Sequence, residues 1–304
     1  MRLALIASNY PDYENYCPNN IGMKAGLTRL GVDWKFFSCR GGSDWVSEVI
    51  KYDPTLIIYG LPDIMRHASW KEQVRKALPS ATIVFWYGDL RNEKMNYPEY
   101  DCSKTVDAMF VSNDAQADFY HDKLKIKDVY FLPLGSEPQK SKFNKKFAFD
   151  FVFIGSKNYS GQFYERAKLI SKFEENGAFR MDSQHAELRK KIYIAMPEIY
   201  KSSKIALDIS HFTDIKGYTS IRYWEIPAFQ GFGLTKRWPG CEEFYPESMH
   251  AYFDTIEEGL DKKNYYLTHE SDRMKMAEKA HKHSVNHAYD KRFTKMFQQL
   301  NVKV

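Results

Sequence analysis

The chain has 304 residues, 43% of them hydrophobic and 27% charged, a composition that suits an ordinary globular protein of about two domains and excludes a disordered chain. A net charge of +5, with no basic arm, permits an anionic ligand but does not mark a nucleic-acid protein. The four cysteines (Cys17, Cys39, Cys102 and Cys241) form no CxxC pair, which argues against disulfide scaffolds and zinc knuckles and for reduced thiols, and no apolar run reaches the length of a membrane span or a signal segment, so a cytoplasmic location is expected.

Short apolar runs alternate with longer helical patterns. "RLALIAS" (2–8) reads as a buried strand. "NNIGMKAGLTRLG" (19–31) has helical spacing and stops at Gly31. "VDWKFFSC" follows as a strand, and "SDWVSEVIKYD" (43–53) as a helix capped by Ser43 or Asp44. "TLIIYG" (55–60) and "ATIVFWYGD" (81–89) read as buried strands around the amphipathic helix "SWKEQVRKAL" (69–78). "AMFVS" (108–112), "DAQADFYHDKL" (114–124) and "VYFLPLG" (129–135) complete a further strand, helix and strand. The polar, lysine-rich "SEPQKSKFNKKF" (136–147) reads as a solvated connection.

Beyond it the pattern restarts. "FDFVFIGS" (149–156) is a strand, "QFYERAKLISKFEENG" (162–177) a helix, and "MPEIYKSSKIALDIS" (196–210) a helical turn and a strand. "SIRYWEIPAFQG" opens a helix, "FGLTKR" (232–237) and "HAYFDT" (250–255) are strands, and the remainder reads as long amphipathic helices. Continuous apolar strands separated by helices predict an α/β protein with parallel sheets covered on both faces. Such sheets place ligands beyond the carboxyl ends of their strands.

Three elements of the second half carry candidate chemistry. In "FIGSKNYSGQFYER" a strand runs through Gly155 and Ser156 toward a helix holding Arg166, a pattern suited to phosphate but equally to an ordinary strand-to-helix turn. In "LDISHFTDIKGYTSIR" the chain turns at Gly217, and Tyr218, Thr219 and Ser220 offer hydroxyls and an N-cap before Arg222. A cation in a first helical turn opposes the helix dipole, and a residue that breaks a local rule invites a functional explanation. A guanidinium there can grip a diphosphate through parallel hydrogen bonds. Glu225, three residues on, can accept from vicinal hydroxyls as an acid does with a ribose. The bland alternative is a surface ion pair between Arg222 and Glu225. The apolar, glycine-containing "IPAFQGFGLT" that follows argues against it, because glycines allow close packing and backbone approach to a ligand.

"RYWEIPAFQGFGLT" resembles the donor-domain signature of CgeB/YkvP-type glycosyltransferases, and the likeness continues in order through "GCEEFYPESMHAYFDTIEEGLDKKNYYLTHESDRMKMAEKAHKHSVNHAYDKRF", with "FDFVFIGS" and Arg166 matching the start of the same domain. The resemblance covers 149–293, about half the chain. It implies a GT-B fold: an acceptor-binding Rossmann-like domain over 1–140, a nucleotide-sugar domain over 148–285 facing it across a cleft, and a C-terminal helix, 286–304, crossing back to the first domain. It further implies that Glu225 takes the nucleotide ribose and Arg222 the diphosphate, with Gly155, Ser156, Arg166, Tyr218 and Ser220 around the donor, a UDP-sugar foremost, and no other cofactor. Two positions depart from the pattern. Gly217 stands where retaining enzymes with the EX7E motif carry their first Glu, and Gln230 replaces the first of two glycines.

An inverting transfer needs a base for the acceptor hydroxyl. The candidates are the strand-end acids of the first domain: Asp89 first, then Asp63 and Asp12, each equally readable as a turn or cap residue. His283 and His287 stand at i,i+4 but lack a third ligand and an HExxH glutamate, so no metal is expected. The acceptor stays open among surface glycan, protein, small molecule and hydroxymethylated DNA base. A nucleotide-sugar epimerase of the same architecture and a catalytically idle binding or structural protein remain as alternatives.

Overall fold

The computed structural model describes residues 1–6, 13–38, 44–60, 69–88, 106–113, 117–122, 126–157, 164–182 and 185–303. They form two compact units, Met1–Leu134 with Tyr289–Val304, and Gly135–Ala288. The first contains β1 (Arg2–Ile6), α1 (Tyr13–Tyr16), α2 (Pro18–Arg29), β2 (Asp33–Phe37), α3 (Trp45–Tyr52), β3 (Leu56–Tyr59), α4 (Ser69–Ala77), β4 (Thr82–Tyr87), β5 (Ala108–Val111), α5 (Ala117–Asp122) and β6 (Asp128–Phe131). The second contains β7 (Phe151–Ile154), α6 (Tyr164–Glu175), β8 (Phe179–Met181), α7 (Ala186–Ser202), β9 (Ile205–Asp208), α8 (Arg222–Ala228), β10 (Gly233–Lys236), β11 (Ala251–Phe253), α9 (Ile256–Thr268) and α10 (Glu270–Ser284). The last helix, α11 (Tyr289–Gln299), belongs to the first unit.

In the first unit six parallel strands run in the order β2-β1-β3-β4-β5-β6. Alternate residues of each strand feed opposite faces, as strand geometry requires. Ala4, Ile6, Ile57, Tyr59, Ile83 and Phe85 pack on one side. Leu3, Leu5, Leu56, Ile58, Val84 and Trp86 pack on the other, beneath α2 and α11. α3 starts where Asp44 accepts the Ser47 amide at 3.1 Å, the N-cap that the sequence offers. Helix α11 presents Tyr289, Phe293, Met296 and Phe297 to this core. Its backbone lies so near α2 that a Cβ on Gly26 would come within 2.7 Å of the Asp290 nitrogen. The long C-terminal helix expected from periodicity is thus broken: a 3-10 turn at Val285–His287 separates α10 from α11.

The second unit has five parallel strands in the order β11-β10-β9-β7-β8. Phe151, Phe153, Leu207 and Leu234 pack with α6 and α9 residues on one face. Val152, Ile154, Ala206 and residues of α7 and α8 fill the other. Helix α7 is much longer than the helical turn expected at the start of 196–210; it runs from Ala186 straight through Pro197. The polar 136–147 stretch exposes Lys140, Lys142, Lys145 and Lys146 as a solvated connection should, yet its backbone is pinned to the second unit. Gln139 N donates to the Ala228 carbonyl at 3.1 Å and Asn144 N to Ser202 Oγ at 2.8 Å.

Both sheets are doubly wound. In each, the strand order reverses beside the first strand, between β1 and β3 and between β7 and β9. Connections on either side of such a point depart to opposite faces and leave a crevice at the carboxyl ends. Among the described residues no helix is long and apolar enough to cross a membrane.

Candidate functional site

The reversal in the second sheet is where its polar residues collect. Strand β9 ends on Asp208, buried at 0% exposure in an otherwise apolar run. The chain leaves through Ile209 and Ser210, loops, turns at Gly217 (φ +75°) and enters α8 at Arg222. Ser220 does not cap that helix, as its position suggested. Its hydroxyl donates to Asp208 Oδ1 at 2.5 Å, and its amide donates to Ser210 Oγ at 2.8 Å. The loop is thereby tied back to the strand it left.

Arg222 reaches across the strand reversal. Its Nε donates to Asp208 Oδ1 at 3.2 Å, Nη2 to the Ile209 carbonyl at 2.9 Å and Nη1 to the Ile154 carbonyl at 3.3 Å. The carbonyl ends of β7 and β9 therefore hold one guanidinium between them. Arg166 on α6 joins it: Nε donates to the same Ile209 carbonyl at 3.0 Å and Nη1 to the Ser156 carbonyl at 2.9 Å. The two guanidinium carbons lie 5.0 and 5.6 Å from the Phe153 ring centroid, within cation–π range.

The ion pair of Arg222 is with Asp208, not the surface pair with Glu225 that spacing alone allows. Glu225 is buried on α8, and among the described residues no donor reaches its carboxyl. Burial pushes its pKa up to about 8, against the pull of Arg222 and with a further push from Asp208. Burial likewise raises Asp208, opposed by Arg222 and by the hydrogen bonds from Ser220 and Arg222. Arg166 is lowered to about 9 by burial first and by the like charge of Arg222 second, and so stays protonated at neutral pH. His211 keeps an exposed edge, yet the protein around it and then the two guanidiniums hold its pKa down. The cluster thus carries two cations against one sealed carboxylate.

Two guanidiniums own ten N–H groups, and five of these are engaged in the bonds just given. The remaining five have no acceptor among the described residues. An electropositive cluster with unengaged donors at a switch point, next to a carboxyl with unengaged acceptors, is built to receive an anionic group with hydroxyls nearby.

Gly155 serves this arrangement by what it lacks. A Cβ there would stand 3.1 Å from Arg222 Nη1 and 3.1 Å from Phe153 Cζ. Its amide is not open to a phosphate, because it donates to the Met181 carbonyl at 2.9 Å. Tyr218 is buried edge-on to Phe212, with centroids 5.4 Å apart.

The sequence model of one family, described as glycosyl transferase-like, matches residues 144–298. That span is just over half of the chain and contains every residue of the cluster. The chain belongs to the glycosyl transferase-like family. No curated protein matches it in sequence. Solved structures do match in shape. HepE of Anabaena in complex with UDP and glucose superposes with a TM-score of 0.63 at 10% identity, covering 99% of each chain. Sucrose-phosphate synthase of Thermosynechococcus elongatus gives 0.63 at 10%, again over 99% of each. Phage T4 β-glucosyltransferase gives 0.62 at 14%, over 99% of this chain and 100% of that one. At such identities the likeness shows the fold, which is GT-B with two Rossmann-like domains.

For this glycosyl transferase-like chain the structure gathers Gly155, Ser156, Arg166, Ser220, Arg222 and Glu225 at one strand reversal. The three acids put forward as bases, Asp12, Asp63 and Asp89, lie outside the described residues. His287 has its Nε2 3.2 Å from the Phe244 carbonyl and packs at a tilt against Trp224 and Tyr245. Among the described residues no group of His, Cys, Asp or Glu is arranged to hold a metal. Of the two roles read for the glycines of "IPAFQGFGLT", close packing and backbone approach to a ligand, Gly233 serves packing: the His250 ring fills the space over it, 2.3 Å from where a Cβ would stand. Sequence reasoning passed over Asp208, although one acid at the end of "KIALD" is the signal that would have found it.

Proposed function

We propose that the protein is a glycosyltransferase of the CgeB/YkvP type that binds a nucleotide-sugar, a UDP-sugar foremost, in its second unit. The observation that carries this is the pair of guanidiniums at the β7–β9 reversal, with five N–H groups unengaged among the described residues, beside the buried Glu225. Arg222 and Arg166 take the diphosphate; Glu225 takes the ribose hydroxyls, which a protonated or ionised carboxyl can both accept from. The complexes of HepE with UDP and UDP-glucose support a uridine nucleotide.

In the proposed transfer the bond between the anomeric carbon and the β-phosphate oxygen breaks as an acceptor hydroxyl oxygen bonds to that carbon. The hydroxyl proton passes to a carboxylate base of the first unit, Asp89 before Asp63 and Asp12. The nucleoside diphosphate departs with the charge it gains held by Arg222 and Arg166, the role that a metal plays elsewhere. With Gly217 in place of an acid, the displacement proposed is a single inverting step on a hexosyl donor. The acceptor is a hydroxyl compound, with glycan and modified DNA both open.

The test is a thermal-shift panel of UDP-, GDP-, dTDP- and CMP-sugars on the wild type and on Glu225→Ala and Arg222→Ala. One nucleotide should raise the melting temperature; a ligand at a hundred times its Kd adds about 2.7 kcal/mol. Both variants should lose the shift. If none of the four shifts the wild type, the donor-site reading falls.

A further inference from the structure

Asp208 poses a problem that the donor site does not solve by itself. It is fully buried, both bonds it accepts arrive at Oδ1, and among the described residues Oδ2 has no hydrogen-bond partner and no access to solvent. A carboxylate half satisfied in the interior is costly, and an apolar side chain would complete the run of β9 better. A ligand cannot reach the sealed oxygen. What Asp208 does hold is Arg222, at the one guanidinium nitrogen that the strand carbonyls leave out. Nε goes to Asp208 while Nη1 and Nη2 go to Ile154 and Ile209. Three fixed points define the plane of a rigid fork. The same Oδ1 anchors Ser220, two residues before α8 begins at Arg222.

We propose that Asp208 is a positioning residue for the donor diphosphate. It never meets the ligand, and it fixes the plane of Arg222 so that the unengaged N–H of each Nη is presented in one orientation. Its charge also permits two guanidiniums to share the Ile209 carbonyl. The inference rests on the donor-site reading given above and adds to it the residue that makes the site rigid.

The experiment is a double-mutant cycle read by titration calorimetry. UDP, GDP, dTDP and ADP are titrated into the wild type, Asp208→Asn, Arg222→Ala and the double variant. Asp208→Asn keeps the shape and an acceptor but removes the charge. It should weaken the bound diphosphate about tenfold or more, as loss of one charged contact does, and should add nothing in the Arg222→Ala background. Equal weakening in both backgrounds would make Asp208 a general brace and overturn the proposal. Binding by Asp208→Asn within twofold of wild type would overturn it while leaving the donor site standing. Binding of none of the four by the wild type would remove the donor site and the proposal together. Should Asp208→Asn lack a cooperative melt, Asp208→Glu decides: it keeps the charge and shifts the acceptor, so a tenfold loss that vanishes in the Arg222→Ala background supports positioning, and binding within twofold of wild type overturns it.

Discussion

Arg166 and Arg222 donate to one acceptor, the Ile209 carbonyl, at 3.0 and 2.9 Å. Two like charges meeting on one oxygen, both largely buried, oppose folding. Asp208 and the Phe153 face offset part of that repulsion. Sites that break a local rule in this manner are where function is expected.

The first prediction follows from that tension. Arg166→Met keeps most of the stem over Phe153 and leaves Ile209 with its bond from Arg222. A charged hydrogen bond contributes about 1.5–3 kcal/mol. The Kd for nucleoside diphosphate should therefore rise by at least tenfold, while the melting temperature holds or increases because the repulsion is gone. Calorimetry and thermal melts on one preparation check both. A fall of several degrees with the Kd unchanged would make Arg166 a structural brace.

Glu225 links stability to pH. Its folded pKa, raised to about 8 chiefly by burial, means that the folded protein keeps the proton where the unfolded chain has lost it. Between about pH 4.5 and pH 8 the folded state binds more protons, so stability contributed by this group falls as pH rises. The slope is about 1.4 kcal/mol per pH unit. Glu225→Gln removes the titration. The variant's melting temperature should gain on the wild type as pH moves from 5 to 8, by an amount of a few kcal/mol in stability. Melts at the two pH values decide it; a difference that does not change with pH sinks the buried-proton account.

A third prediction concerns the space over Gly233. His250 is 1% exposed, its Nε2 lies 2.7 Å from Thr235 Oγ1, and its ring packs among Tyr223, Tyr245 and Tyr252. Burial pushes its pKa down to about 3, so the ring is neutral. A methyl at position 233 would meet an imidazole that has nowhere to go. Gly233→Ala should cost about 1–3 kcal/mol, as overpacking does. In a Gly233→Ala/His250→Ala double variant the cost should be less than the sum of the singles. Denaturant unfolding measures it, and strict additivity would show that the two residues do not compete for the space.

Much of this architecture could be read from the chain because buried parallel strands announce themselves. "LALI", "LIIY" and "FVFI" have no polar residue to spread over two faces, and a run so short and apolar must be covered on both sides. What escaped was set by tertiary context. Strand β8 is three residues at an edge, with Arg180 bonded to Glu174 and Asp182; nothing in "FRM" is periodic enough to mark it. Of helix α7 only the last turns, from Met196, are read from the sequence, yet it begins at Ala186 and continues across Pro197. Of the site, Arg222 and Glu225 were visible as charges beside an apolar run. Their true relation was not, since spacing pairs Arg222 with Glu225 while the fold pairs it with Asp208, fourteen positions earlier.

Gln230 shows the same limit and yields the last prediction. Its backbone is left-handed, φ +62°, at the end of α8, where its amide donates to the Pro227 carbonyl at 3.1 Å. Glycine is the residue that adopts this conformation without strain, and any other pays about 1 kcal/mol. The glutamine side chain returns something: Oε1 accepts the Ser141 amide at 3.0 Å and so pins the 136–147 stretch. Gln230→Gly relieves the strain and loses the bond, so its stability should lie within about 0.5 kcal/mol of wild type. Gln230→Ala loses the bond and keeps the strain, and should be about 1 kcal/mol less stable than the glycine variant, the reverse of the usual order of these residues. In both, the Ser141 amide should exchange with solvent faster, since its acceptor is gone. Chemical denaturation ranks the two variants and amide exchange reads the pin; an alanine variant as stable as the glycine one would mean that position 230 bears no strain.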